Sequence, residues 1–119
     1  MANNPVVHFE IGCRDADATT AFYRTVFGWS FSDYGPNSYK IDTGAGTGVN
    51  GHLTALGHEP HNYVAVYIET DDIAASVEAV ERAGGDTVVG PLPTGDGREF
   101  AWIKDPAGNT IGLIGKSKS

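Results

Sequence analysis

The sequence predicts a single α+β domain, spanning residues 5–116 and made of two βαβββ halves at about 5–56 and 62–116. Three observations predict it. The order strand, helix, three strands is read twice, with the halves offset by roughly 55 residues. Apolar residues alternate along the expected strands and recur near helical spacing along the expected helices. Clusters of Gly, Pro and Asn fall between these segments, where turns are needed.

The first half opens with Val6 to Cys13, VVHFEIGC. Val7, Phe9, Ile11 and Cys13 share one face of this strand, and His8, Glu10 and Gly12 share the other. Arg14-Asp15-Ala16-Asp17 opens a helix, with Asp15 or Asp17 placed to cap it. Ala18, Ala21, Phe22, Tyr23 and Val26 lie along that helix, Phe22, Tyr23 and Phe27 are expected in its helix–sheet core, and Gly28 ends it. Strands are expected around Trp29–Ser32, Ser38–Asp42 and Val49–Leu53, separated by Tyr34-Gly35-Pro36-Asn37 and by the Gly-rich stretch 44–48.

Residues 57–62 (GHEPHN) read as a linker, so His58 and His61 are expected in solvent. The order then restarts. Tyr63 to Glu69 forms a strand with Val64, Val66 and Ile68 on one face and Tyr63, Ala65 and Tyr67 on the other. Asp71 or Asp72 caps a helix from Ile73 to Ala83, with Ile73, Val77 and Val80 in one stripe and Gly84-Gly85 ending it. Strands follow near Thr87–Gly90, Arg98–Ile103 and Asn109–Ile114, the last two joined by a turn at Asp105-Pro106-Ala107-Gly108. Pro91 to Arg98 (PLPTGDGR) lacks the Gly-Lys-Ser/Thr of a phosphate loop and precedes a strand; it reads as a flexible hairpin loop and a candidate lid.

Composition narrows the function classes. The chain has 119 residues, enough for one core and too few for two independent domains. Hydrophobic residues make up 40% and charged residues 19%, which is a globular composition. No apolar run approaches the roughly 20 residues that span a bilayer, so no membrane partner is expected. Residues 1–5 show neither the basic nor the apolar region of a signal peptide. Cys13 is the single cysteine, which excludes an internal disulfide and a Cys-rich zinc site and fits a cytoplasmic location. The net charge of −7 argues against a nucleic-acid partner. Ser76 and Thr25 have no His/Asp pattern beside them, so nucleophilic hydrolysis is unsupported.

Several segments in order carry a family resemblance. They are His8 on a first strand, the Asp-rich helix start, the run Ala21-Phe22-Tyr23-Arg24-Thr25-Val26-Phe27-Gly28-Trp29, the strand Tyr63–Ile68, the helix end Arg82-Ala83-Gly84-Gly85, and Asp105-Pro106-Ala107-Gly108-Asn109 before a final strand. Together they resemble the glyoxalase/bleomycin-resistance/extradiol-dioxygenase family, also called the vicinal oxygen chelate family. The resemblance covers nearly the whole chain and is nearest to small one-domain members. It implies a cupped mixed sheet with helices outside, a ligand or metal in the cup, and a homodimer, in some members with exchanged halves.

Metal-dependent members place ligands at four strand positions, two in each half. By the resemblance the first falls on His8, and the second near Asn50 to His52, where His52 is available. The third falls on Tyr63 or Ala65, and the fourth on Gly112, where active members carry a glutamate that is both ligand and base. A divalent ion such as Zn, Ni, Mn or Fe would therefore have to be held by His8, His52 and Glu10, with Glu10 also the candidate base. Glu10 lies two residues from His8 on the same strand face, where two ionisable groups suggest a wet or ligand-bearing cavity.

The expected pocket residues are His8, Glu10, His52, Tyr63, Tyr67, Trp102 and Gly112. Each also has an ordinary reading: a hydrogen-bonded histidine, an ion-paired glutamate, core aromatics, a tolerated strand glycine. Three functions follow in order of preference. The first is a small-molecule-binding protein without the full glyoxalase I metal site. The second is a metal-dependent lyase, isomerase or oxygenase with an altered ligand set. The third is a dimeric scaffold whose cup is filled by its own side chains.

Overall fold

A computed structural model of the chain describes residues 3–116. Ten elements are formed in the order β1 (Val6–Gly12), α1 (Ala16–Phe27), β2 (Ser30–Asp33), β3 (Ser38–Asp42), β4 (Gly51–Thr54), β5 (Tyr63–Thr70), α2 (Ile73–Arg82), β6 (Asp86–Pro93), β7 (Arg98–Lys104) and β8 (Thr110–Lys116). This is the βαβββ order twice, an α+β chain as the sequence predicts.

The chain forms two compact units. One comprises His8–Ala65 and the other the residues up to Val7 together with those from Val66 on. The boundaries thus fall inside β1 and β5 and not in the linker. Local bonds explain this: the Pro5 carbonyl accepts from the Glu69 amide at 2.9 Å, and Asn4 donates to the Glu69 carbonyl at 2.9 Å.

In the unit around His8–Ala65 the strands run β2-β3-β4-β1. The β2–β3 and β3–β4 pairs are antiparallel and the β1–β4 pair is parallel. Ile11, Cys13, Ile41 and Leu53 form the buried core, with Phe9, Ala16, Tyr23, Trp29 and Tyr39 packed against it. The alternation read from Val6 to Cys13 is therefore real: Phe9, Ile11 and Cys13 lie on the face that α1 covers. Asp15 supplies the N-cap, accepting from the Ala18 amide at 3.0 Å, and Gly28 closes the helix in the left-handed region at φ 73°.

Phe22 and Phe27 depart from the expected core. They are 54% and 58% exposed. The buried stripe of α1 is Ala16, Thr20 and Tyr23, and Phe22 stands about 100° of helix rotation from Tyr23. Phe27 is the last residue of the helix, and its ring meets those of Phe22, Tyr23 and Trp29.

The other unit repeats the arrangement as β5-β8-β7-β6, with β5–β8 parallel and the remaining pairs antiparallel. Asp72 caps α2 by accepting from the Ala75 amide at 3.0 Å. Ile73, Ala101, Ile103 and Leu113 form its core, joined by Ile68, Val77 and Val80. The expected hairpin loop at Pro91 to Arg98 is shorter than read. Leu92 pairs with Phe100 and Pro93 with Glu99, so β6 runs through part of that segment despite two register shifts. Residues 94–97 remain as a tight turn, in which the Thr94 hydroxyl donates to Asp96 and Arg98 pairs with Asp96 at 2.8 Å.

Candidate functional site

Strand alternation decides what the first unit presents opposite its core. Phe9, Ile11, Ile41 and Leu53 turn toward α1, so His8, Glu10, Lys40 and His52 turn the other way. The register then sets them side by side. Lys40 is paired with His52 across β3 and β4, and Glu10 with His52 across β1 and β4. Three ionisable groups from three strands thus form one row. Next to it, Ser38 is paired with Thr54, and their hydroxyls lie 2.9 Å apart.

Within this row the side chains are linked in series. His8 Nε2 and His52 Nδ1 are 2.7 Å apart. His52 Nε2 faces Glu10 Oε1 at 3.3 Å. The Tyr63 hydroxyl donates to Glu10 Oε2. Glu10 is only 4% exposed, so its carboxylate depends on these donors in place of water. The carboxylate selects the His52 tautomer that carries its proton on Nε2. In that tautomer Nδ1 is an acceptor, open to a proton on His8 Nε2. His8, His52, Glu10 and Tyr63 are accordingly brought together as one hydrogen-bonded chain.

Two residues of this site were not singled out from the sequence. The Tyr34 ring lies 5.4 Å from the His52 ring, and the Lys40 ammonium sits 5.4 Å from the Tyr34 ring centre. Lys40 could have been found by noting that it alternates with Tyr39 and Ile41 in a strand whose bounds were read correctly. Its neighbour on β4 depends on register, which no local signal supplies. His61 also differs from its expected solvent exposure. Its side chain is 19% exposed and faces Glu59 at 3.2 Å.

Tyr63 ties the chain to the backbone as well. Gly12 lies under its ring, and a β-carbon there would overlap the ring atoms. Burial raises the Tyr63 pKa first, and the hydrogen bond and charge of Glu10 raise it further above the ordinary 10.0. The sign of the linkage follows. The unfolded phenol loses its proton at lower pH than the folded one, so this contribution is complete below pH about 10 and is lost as pH rises beyond it. Between pH about 9 and about 11, wild-type stability should therefore fall more steeply than that of Tyr63→Phe. Urea unfolding at several pH values measures this; parallel slopes would refute the assignment.

In the second unit, Tyr67, Trp102 and Gly112 are brought together. Gly112 is paired with Tyr67 on one side and Trp102 on the other. The Trp102 indole N–H donates to the Tyr67 hydroxyl at 2.8 Å. The face of Trp102, open from sequence alone, is thereby fixed: Ala101 and Ile103 enter the core and Trp102 turns to the opposite side. The Tyr67 ring covers Gly112, where a β-carbon would overlap it.

These arrangements test the fit of a family metal. Among the described residues no group of three or more His, Cys, Asp or Glu side chains is placed to hold an ion. The reason is geometric: both His52 nitrogens are directed at neighbours, so the donors of His8, His52 and Glu10 follow one another instead of converging. At the fourth position Gly112 offers no donor, and the Tyr67 ring takes the space in which a side chain would stand. The residues present do not fit the full four-ligand site.

Comparison with known proteins agrees with the fold and sharpens the family. The model of the Glyoxalase/Bleomycin resistance protein/Dioxygenase superfamily matches residues 6–113. A Vibrio cholerae protein named "Probable lactoylglutathione lyase" is 31% identical over 127 residues, covering 96% of this chain and 92% of that protein. The anthracycline biosynthesis protein DnrV of Streptomyces peucetius is 33% identical over 118 residues, 84% of this chain and 42% of its own length. The chain spans about two fifths of the length of several curated relatives it matches. Among solved structures, a variant of Streptomyces coelicolor methylmalonyl-CoA epimerase in complex with 2-nitronate-propionyl-CoA superposes with a TM-score of 0.71 at 18% identity, covering 98% of this chain and 97% of that one.

Proposed function

We propose that this chain, which belongs to the Glyoxalase/Bleomycin resistance protein/Dioxygenase superfamily, binds a small oxygen-bearing molecule without the full glyoxalase I metal site. The observation that carries the proposal is the serial chain from Tyr63 through Glu10 and His52 to His8. A metal centre needs donors that converge on one point. Here the same residue types hold one another in hydrogen bonds, on a polar strand face that also bears Lys40 and Tyr34. Such a face suits carbonyl, carboxylate and hydroxyl groups of a ligand. The names of the relatives speak of small molecules of that kind: lactoylglutathione, an anthracycline, methylmalonyl-CoA.

In this reading Glu10 positions His52, and His52 positions His8 toward the ligand. Lys40 supplies a cation for an anionic group, and Tyr34 supplies an apolar wall. A homodimer and a cytoplasmic location belong to the same proposal.

The alternative is a metal-dependent lyase, isomerase or oxygenase built on His8, His52 and Glu10. One specific observation favours it: the two imidazole nitrogens of His8 and His52 face each other at 2.7 Å. Thermal denaturation of chelator-treated protein separates the two. A specific ion at about 100 times its Kd would add about 2.7 kcal/mol of stability. No stabilisation is expected from Zn, Ni, Mn or Fe, whereas lactoylglutathione or methylmalonyl-CoA is expected to stabilise the metal-free protein and to lose that effect in His52→Ala. The proposal fails if neither molecule acts without a metal ion, or if one ion stabilises the protein in a manner abolished by His8→Ala.

A further inference from the structure

A second polar cleft lies on the other side of the same sheet, under α1. In the first unit α1 rests against β4. Beyond β4 the sheet continues through β3 to the edge strand β2. Between α1 and these two strands lies a half-open cleft of about 320 Å³ lined by Asp17, Thr20, Arg24, Phe31, Ser32, Asp33 and Tyr39. That volume is at the lower end of small-molecule pockets, about 300–1,000 Å³.

The sequence builds this cleft from two periodicities. Asp17, Thr20 and Arg24 stand at i, i+3 and i+7 of α1, on one helix face. Asp33 is paired with Tyr39, and Phe31 with the core residue Ile41, so these strand side chains point toward the helix and away from the His52 row.

Its charges are arranged unusually. The Arg24 guanidinium lies over the Phe31 ring at 5.5 Å. Among the described residues neither Arg24, Asp17 nor Asp33 takes part in an ion pair, although all three line the one cavity. Opposite charges thus line one cleft without pairing, beside the rings of Phe31 and Tyr39.

We infer that this cleft binds a small zwitterion, an α-amino acid with an apolar or flat side chain. A carboxylate pairs with Arg24 in the forked geometry that guanidinium favours. An ammonium group pairs with Asp17 and Asp33. The side chain lies on Phe31 and Tyr39. A simple anion such as phosphate is disfavoured by the two carboxylates, and a diamine by Arg24. Because the charged groups are exposed, each pair contributes little, and the expected affinity is millimolar.

The test uses the full chain, its backbone amides followed by NMR while L-phenylalanine is added. Saturating shifts are expected at Asp17, Thr20, Arg24 and Asp33. 3-Phenylpropanoate, which lacks the ammonium, and 2-phenylethylamine, which lacks the carboxylate, should each bind about two- to fivefold more weakly. Arg24→Met and the double variant Asp17→Asn/Asp33→Asn should each weaken binding by a similar factor while the spectrum stays folded. The inference is overturned if L-phenylalanine gives no saturating shifts up to about 10 mM, if either singly charged analogue binds as well, or if binding is unchanged in both variants.

Discussion

Gly112→Glu is expected to destabilise the protein by about 3–5 kcal/mol and to confer no metal binding. The substitution supplies the residue type that the family resemblance implies for a fourth metal ligand. A restored ligand would ordinarily be expected to help. Here the backbone of Gly112 is buried and the Tyr67 ring lies where the new side chain must begin. The glutamate therefore has to displace the ring, break the Trp102–Tyr67 hydrogen bond and bury a carboxylate without a partner. Gly112→Ala isolates the steric part, at about 1–3 kcal/mol. Removing the ring by Tyr67→Ala should make Gly112→Ala nearly neutral in that background, and a double-mutant cycle from urea unfolding gives the coupling. Additive costs would show that the ring does not oppose a side chain at 112, and the metal argument at this position would then fall.

The fold and the site differ in how far they could be read. Element type and order followed from periodicity: Phe9, Ile11 and Cys13 in the core, the caps at Asp15 and Asp72, the bounds of β3. Errors arose where a local signal had a second physical outlet. The expected strand Val49–Leu53 includes Asn50, but the Asn50 side chain accepts from the Thr43 amide at 3.0 Å and holds the preceding loop, so β4 starts two residues later, at Gly51. Pro91 and Pro93 suggest a loop, yet they sit in β6, the last strand of the row β5-β8-β7-β6, where one side has no ladder for proline to interrupt. The shared face of His8 and Glu10 was legible, because alternation is a property of one strand. The linkage of the candidate pocket residues was not, because it depends on register between strands distant in sequence: Glu10 with His52, Lys40 with His52, Tyr67 with Gly112. The constraint at Gly112 likewise becomes visible only when the ring above it is placed.

Leu53→Ala should cost about 2–5 kcal/mol, while His52→Ala should cost far less and remove ligand-dependent stabilisation instead. The two residues are adjacent on β4 and have opposite surroundings. Leu53 is fully buried at 0% exposure, among Ile11, Ile41 and Cys13 beneath α1. Truncating it loses transfer free energy and leaves a cavity that rigid strands β1 and β3, paired on either side, cannot close. His52 lies on the other face with part of its ring exposed, so water can enter part of the space it leaves. The buried Glu10 loses a partner by its removal and keeps the Tyr63 hydroxyl as a donor. Chemical denaturation of the two variants, with and without lactoylglutathione, separates packing from recognition. If His52→Ala proved as destabilising as Leu53→Ala, the imidazole would be a structural element of the sheet, and the polar face would lose its claim to be the binding surface.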